Sequence, residues 1–508
     1  MIKKSFASGI TAFCAVLALT ACGNAESSGS GEINPDAQLT VAVNVMETSW
    51  DPARAVGVAA MPVMKLVFDG LLTQDKDGNV APELATSWET TDGGLSYTFE
   101  LRDDARFSNG DTFDAEDAKV TLERYRSFES STLKGLMGNI DSITAVSPTE
   151  LTIVQKRADV TLPVILAERA GIMMSADAIA EGDFEEPAGT GMFLLDSNRP
   201  GVSVTLKANP DYWDREAVKV AGVTVKKMED TTARANALRS GDLDMSIVGA
   251  NQITEIEGSS ELRSYSVEGR ALRGMTFNPD LYAPLEDQRV RDALSLAINR
   301  EGLAVGVLLG EGKPASQFVP EGHKFFNDDA PAIPYDPDKA RELLKQAGYE
   351  DSLSFTMTAP PKYQKEAESI QADWAAIGVK VQLTFPTGSG NAEKIWYNKE
   401  VPVGLWAFEG RGDLGLFYRT LFDGESIYNP SGDEDPLFAR LVGEANSTPA
   451  EAERKVVFDQ LAETVATRTQ NQMPIVFGYD IVAYSKDLTG VQEWQGGFPY
   501  IKGVAKTD

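Results

Sequence analysis

Three observations predict an α/β protein built from two or three lobes. The chain has 508 residues, more than one hydrophobic core normally organises, so it divides into lobes that each have their own. From Leu353 to Phe408, strand and helix patterns alternate on the scale of an open sheet with crossover helices. From Val218 to Asp244 the same alternation recurs as strand, helix and a turn into a buried strand, which implies partly parallel pairing.

The start of the chain stands apart from this pattern. Met1-Ile2-Lys3-Lys4 is basic, and Phe6 to Leu19 is an apolar run too short to span a bilayer as a lasting anchor. Leu19-Thr20-Ala21-Cys22 resembles a bacterial lipobox, in which Cys22 is lipidated and becomes the first mature residue; the alternative is an ordinary signal peptide with an incidental cysteine. Asn24 to Glu32, rich in Ser and Gly, then reads as a flexible tether. The other cysteine is Cys14, inside the leader, so the body carries no thiol and thiolate catalysis, disulfides and cysteine metal sites are excluded. The single histidine, His323, excludes His-based triads and multi-histidine cages and reads as a loop residue. The net charge is −29, two units more negative once Lys3 and Lys4 are removed, which disfavours nucleic acid and anionic lipid surfaces as ligands.

The body opens with a strand at Leu39–Val45, and Ala59 to Leu71 has helical spacing, with Met61, Met64, Val67 and Phe68 read as core rather than a methionine metal track. Asp75-x-Asp77-Gly78-Asn79 has the look of a calcium loop, but its glycine falls one place early and the twelfth-position glutamate is missing, so a hairpin turn is expected. Strands follow around Trp88 and Tyr97–Arg102, separated by Asp92-Gly93-Gly94. Asp114 is placed to cap a helix beginning Ala115-Glu116-Asp117, where carboxylates suit the positive helix end. Two strands flank Ser147-Pro148, and Leu162 to Ala170 is a short helix. Gly189-Thr190-Gly191 lacks the third glycine of a dinucleotide loop. Ala340, Leu343, Leu344 and Ala347 fall on one helix face ended by Gly348. Helices are expected at Glu366–Ile377, Asn391–Asn398, Asp435–Ala445 and Pro449–Thr467, and closing strands at Met473–Phe477 and Ile481–Tyr484. No internal repeat is present.

Certain phrases are more specific than their secondary structure. They are Leu84-Ala85-Thr86-Ser87-Trp88-Glu89, the strand ending Leu101-Arg102, Asn109-Gly110-Asp111, Gly189-Thr190-Gly191-Met192-Phe193, Asn209-Pro210-Asp211-Tyr212-Trp213 and Arg289-Val290-Arg291-Asp292-Ala293. In this order they closely resemble the family 5 solute-binding proteins, the peptide- and nickel-binding receptors of ABC importers. The resemblance implies a periplasmic-binding-protein type II fold, two lobes joined by a hinge, with an extra subdomain inserted in the first. It divides the chain into a signal peptide at 1–21, a lipidated cysteine and tether at 22–37, lobe I at 38–60, 190–272 and 475–508, the inserted subdomain at 61–189 and lobe II at 273–474.

The resemblance also suggests where a ligand sits. Peptide-binding relatives carry a tryptophan and, three residues on, an acid that grips the ligand's α-ammonium; here these are Trp406 and Glu409, with Asp413 as the fallback and Gly410 and Arg411 beside them. A buried carboxylate–ammonium pair is strong only when the remaining donors are also bonded, and glycines let backbone carbonyls approach. The competing reading is an ordinary solvated loop. Dipeptide-binding relatives place an arginine ahead of the helix near Glu366, whereas this chain has Ala359-Pro360-Pro361-Lys362-Tyr363, so only Lys362 is cationic there and it lacks the bidentate fork. That leaves room for longer peptides held by strand-like hydrogen bonds. Glu47 and Trp50, in the loop after the first strand, are cleft candidates, with simple packing as the alternative for Trp50.

The implied function is capture of extracellular di- or oligopeptides and their delivery to an ABC permease with its ATPase subunits. The protein is expected to be a monomer held to the membrane by its lipid, with no cofactor. A receptor for a nickel chelate or another non-peptide solute is the alternative. An extracellular hydrolase is the third, and no nucleophile–base or metal constellation supports it.

Overall fold

In the computed structural model the described residues are 31–508 except 47–48, 56–60, 183, 388–389, 410–411 and 495–498, and the side chains of 268–271 and 409 are likewise outside the description. Cys22, Glu47, Gly410 and Arg411 therefore lie outside the described residues, as does the side chain of Glu409.

One mixed sheet of eleven strands runs through the described residues. From one edge its order is Lys380–Thr384, Ser354–Thr358, Val403–Glu409, Leu262–Phe277, Gln472–Ser485, Met245–Val248, Gln38–Val43, Gly222–Lys227, Ser203–Ala208 and Phe193–Arg199, with Gly312–Pro314 attached beside Gln472–Ser485. Parallel pairs occur where the crossover helices were expected. Gln38–Val43 is parallel to both Gly222–Lys227 and Met245–Val248, and the latter two are linked through the helix Thr231–Ser240. Ser354–Thr358 is parallel to both Lys380–Thr384 and Val403–Glu409. Asp230 caps Thr231–Ser240 by accepting the Ala233 N–H at 2.7 Å. These local signals and the sheet pairing agree, so the segment has one consistent solution.

Leu262–Phe277 and Gln472–Ser485 are much longer than the other strands and pair antiparallel along nearly their whole length. Their register shifts twice, between Arg273 and Gly274, opposite Val476 and Pro474, and as a wider break between Val267 and Ala271, opposite Asp480 and Gly478. On one side of that break they join Met245–Val248, and on the other they join Val403–Glu409. The break therefore separates the halves of the sheet, and a bulged pair of strands bends more readily there than a regular ladder does. The two closing strands expected from sequence form this single strand, because pairing with Leu262–Phe277 carries the backbone through Gly478-Tyr479-Asp480.

A separate four-stranded antiparallel sheet orders Ala85–Thr91, Ser96–Leu101, Glu150–Gln155 and Ile140–Ser147. It packs with the helix Ala115–Ser127 around a core that includes Phe99, Phe113, Leu122, Tyr125 and Ile153. Asp114 accepts from the Glu116 and Asp117 N–H groups while Asp117 accepts from the Asp114 N–H, a reciprocal cap on the first turn. The Asp75–Asn79 segment is the turn of a hairpin, Leu72–Gln74 against Val80–Pro82, and the Asp75 carboxylate accepts the Asp77 and Asn79 N–H groups at 2.9 Å each.

This smaller unit also touches the far half of the large sheet directly. Arg419 pairs with Asp159 and donates to Thr161 Oγ1 at 3.3 Å, and the Val160 N–H donates to the Asn446 carbonyl at 2.8 Å. Leu416 is buried in the smaller unit's core. The two halves of the molecule are thus joined through the long strands and also through these contacts of the smaller unit.

Candidate functional site

Ligands of open α/β sheets meet the protein beyond the carboxyl ends of parallel strands. In the half of the sheet that carries the expected ligand residues, two of those ends are Thr358 and Glu409, on strands that pair as Met357 with Val403 and Thr358 with Gly404. The neighbouring antiparallel strand sets Ala271 opposite Glu409 and Arg273 opposite Ala407. The site is therefore a corner where two strand ends meet the register break of the long strands.

Several side chains of known position converge on this corner. After Thr358 the chain turns through Pro361–Tyr363 into the helix Gln364–Ala375. Tyr363 is buried, and its ring carries two cations: the Lys362 Nζ lies 4.8 Å and the Arg273 guanidinium carbon 5.1 Å from its centre. Such contacts are favourable because the ring face is electron-rich. Glu366 is buried one turn on; burial pushes its carboxyl above the usual range, and the charge of Arg273 pulls it partly back. Arg273 escaped the sequence reading. Its only signal was a cation inside the apolar run from Leu272 to Phe277.

Three residues expected to touch ligand are committed inside the protein. Trp406 is 2% exposed. It packs against Phe408 with ring centres 5.0 Å apart, and its Nε1–H donates to Gln472 Oε1 at 3.1 Å. Gly274 makes room for it, since a Cβ there would fall 2.3 Å from the indole ring. Strand alternation explains the placement: Val403, Leu405 and Ala407 pack toward one core, and Trp406 and Phe408 toward the other. Trp50 is buried with Met46, Val41 and Phe193, the packing reading of that residue.

Asp413 is the third. It caps the helix Leu414–Phe422 by accepting the Gly415 and Leu416 N–H groups at 2.8 and 3.1 Å. It also takes both terminal nitrogens of Arg454, at 2.7 and 2.8 Å. With its oxygens so occupied, Asp413 holds the loop and helix in place rather than offering a carboxylate to solute. Lys362 is exposed at the mouth of the corner, and Glu409 lies at its strand end by backbone pairing.

Among the described residues no three or more His, Cys, Asp or Glu side chains group as metal ligands, and no helix is long and apolar enough to cross a membrane. His323 Nδ1 accepts the Phe325 N–H at 3.2 Å, in the loop expected of it.

Comparison with known proteins gives a consistent result. Residues 79–429 match the family described as bacterial extracellular solute-binding proteins, family 5 middle. The chain is 28% identical over 470 residues to the glutathione-binding protein GsiB of Shigella flexneri, covering 89% of this chain and 91% of that protein. Two solved structures share the fold. One is the periplasmic binding protein DppA from Helicobacter pylori in complex with the peptide STSA (TM-score 0.82, 22% identity, 93% of this chain and 98% of that one). The other is NikZ from Campylobacter jejuni in complex with Ni(L-His) (TM-score 0.80, 21% identity, 91% and 99%). The architecture is the type II periplasmic-binding-protein fold of two hinged lobes.

Proposed function

The chain belongs to the bacterial extracellular solute-binding proteins of family 5, and from that premise we propose that it is a lipid-anchored receptor that captures short peptides for an ABC importer. Proteins of this family work outside the cytoplasm and hand solute to a membrane permease. The observation that carries the peptide reading is the likeness, across nine-tenths of both chains, to glutathione-binding proteins. Glutathione is a tripeptide with one ammonium and two carboxylates, and the two cations on the Tyr363 ring, Arg273 and Lys362, support a reading with carboxylate-bearing ligands.

In this reading Glu409 receives the ligand's ammonium, and Gly410, Arg411 and Glu47 add contacts to the same ligand. The lobes exchange between an open form with a wet cleft and a closed form, and the peptide favours closure by contacting both at once. No bond in the peptide is made or broken. Cys22 carries the lipid, and the receptor acts as a monomer beside its permease.

Native mass spectrometry of protein purified from its own cells tests the ligand class. Adducts fitting di- to pentapeptides, glutathione included, are expected; a single metal-containing adduct would favour a chelate receptor, and chemically altered solute a hydrolase. In titration calorimetry with glutathione, Glu409→Gln is expected to weaken binding, by roughly tenfold or more for a lost charge-assisted contact, with Glu368→Gln as the neutral control. Equal affinities in the two variants would remove Glu409 from the site. Cys22→Ser is expected to release the protein from the membrane fraction, and retention there would overturn the anchor.

A further inference from the structure

The dipeptide-binding pattern asks for an arginine ahead of the helix Gln364–Ala375, and this chain has Pro360-Pro361-Lys362 there. We infer that the anchor has moved to the hinge strand: Arg273 receives the ligand's carboxylate, with Lys362 as its outer partner.

The path of the side chain carries this. By backbone pairing Arg273 lies opposite Val476 and Ala407. Its guanidinium, however, lies against Gly478, which pairs with Ala271. It therefore runs along the strand toward the register break, away from the lobe's interior. Only glycine leaves that route open, since a Cβ at position 478 would fall 1.8 Å from a terminal nitrogen of Arg273 and 2.4 Å from its central carbon. The face of Tyr363 supports the guanidinium from the other side, and the same ring holds Lys362. Two cations thus reach one aromatic ring from separate strands of sequence, beyond the end of Ser354–Thr358, in a chain whose net charge is −29.

A planar guanidinium pinned between a ring and a glycine is pre-oriented for a carboxylate, and its fork makes two parallel hydrogen bonds where an ammonium makes one. The ladder shifts register directly after Arg273 and again between Val267 and Ala271, two residues before it, so a carboxylate held here would lie where the halves of the sheet meet. The competing role is structural: Arg273 offsets the buried charge of Glu366. That role is indifferent to the ligand's terminus.

The inference rests on the peptide reading, and the experiment separates the two. Glutathione and trialanine, each as free acid and as C-terminal amide, are titrated into wild type, Arg273→Gln and Gly478→Ala. In the wild type, amidation is expected to weaken binding roughly 10- to 100-fold, the range for a lost charge-assisted hydrogen bond. In Arg273→Gln the acid and amide should bind alike. Gly478→Ala keeps every charge and only displaces the guanidinium, so it should shrink the same ratio even if Arg273→Gln folds poorly. An acid-to-amide ratio unchanged in both variants, while the peptides still bind, overturns the anchor alone. Wild-type protein that binds none of the four compounds overturns the peptide reading, and the anchor with it.

Discussion

Asp413 and Asp69 are both carboxylates removed from solvent, 8% and 3% exposed, yet the fold satisfies them in opposite ways. Asp413 meets a charge. Arg454 donates both terminal nitrogens to it, donates its Nε–H to the Ala445 carbonyl at 2.8 Å, and lies over the rings of Phe325 and Phe458. Asp69 meets neutral donors: Thr190 Oγ1 at 3.0 Å, Trp213 Nε1 at 2.9 Å and Tyr212 OH at 3.3 Å. Its near neighbour is another acid, Glu83, which accepts the Gly70 N–H at 2.8 Å. Burial raises the Asp69 carboxyl despite these donors, and burial together with the charge of Asp69 pushes Glu83 up to about 7. The buried acid at Asp413 has a guanidinium held directly against it, whereas the raised carboxyls of Asp69 and Glu83, with Lys65 and Lys502 acting on them only at longer range, make their region respond to protons.

The largest effect expected from this contrast comes from removing Arg454. Arg454→Leu strands the Asp413 charge, which typically costs about 3–5 kcal/mol, read as a large drop in melting temperature. The double variant Arg454→Leu, Asp413→Leu should recover most of it, short of about 1 kcal/mol for the lost helix cap. No recovery would mean that Arg454 acts through its packing on Phe325 and Phe458 instead.

A smaller effect is expected at the acid pair, and its sign follows from linkage. The folded-state values of Asp69 and Glu83 are raised, so the folded chain holds protons that the unfolded chain has released. Their contribution is fully present below the ordinary glutamate value of 4.5 and is lost as pH rises toward about 7. The wild type should therefore lose melting temperature relative to Glu83→Gln across that window, and parallel curves would show that Glu83 titrates normally. Asp69 joins Thr190, Tyr212 and Trp213, where the chain leaves the smaller unit, so the region loosened would be the joint between that unit and the sheet half bearing Phe193–Arg199.

The contrast also marks what one sequence can disclose. The cap at Asp114 and the helix Thr231–Ser240 with its flanking parallel strands were legible because their causes lie within a few residues. The continuous strand Gln472–Ser485 was not, since Gly478-Tyr479-Asp480 breaks the apolar alternation and only a partner two hundred residues away carries the backbone across. Trp406 misled for a similar reason. A tryptophan before an acid in a loop reads as a cleft residue, but Gly274 and Gln472, both remote in sequence, draw it into the core. Asp413 was read as a spare ligand because its partner Arg454 lies forty-one residues on. Family phrases revealed the fold, while individual side chains were decided by contacts that no local window contains.

The smallest stability effect sharpens the comparison at the rim. Arg419 and Asp159 join the smaller unit to the far half of the sheet, and the arginine is partly exposed at 27%. Water reaches the guanidinium, and Asp159, 7% exposed, keeps the Thr161 N–H and hydroxyl as donors, so loss of the pair should cost less than loss of Arg454, about 1–2 kcal/mol. Its position makes it informative all the same. Together with the Thr161 and Asn446 hydrogen bonds it ties the smaller unit to the far half of the sheet. A lobe opening that draws the smaller unit away from that half would part these contacts, and a lost contact made only in the closed form shifts the equilibrium by its whole free energy. Arg419→Gln should therefore expand the ligand-free protein in small-angle scattering and weaken glutathione binding severalfold, with a loss of melting temperature well short of that in Arg454→Leu. An unaltered radius of gyration and an unaltered affinity would show that the rim contacts do not bias closure, and that the free energy of closing lies in the ligand and the hinge.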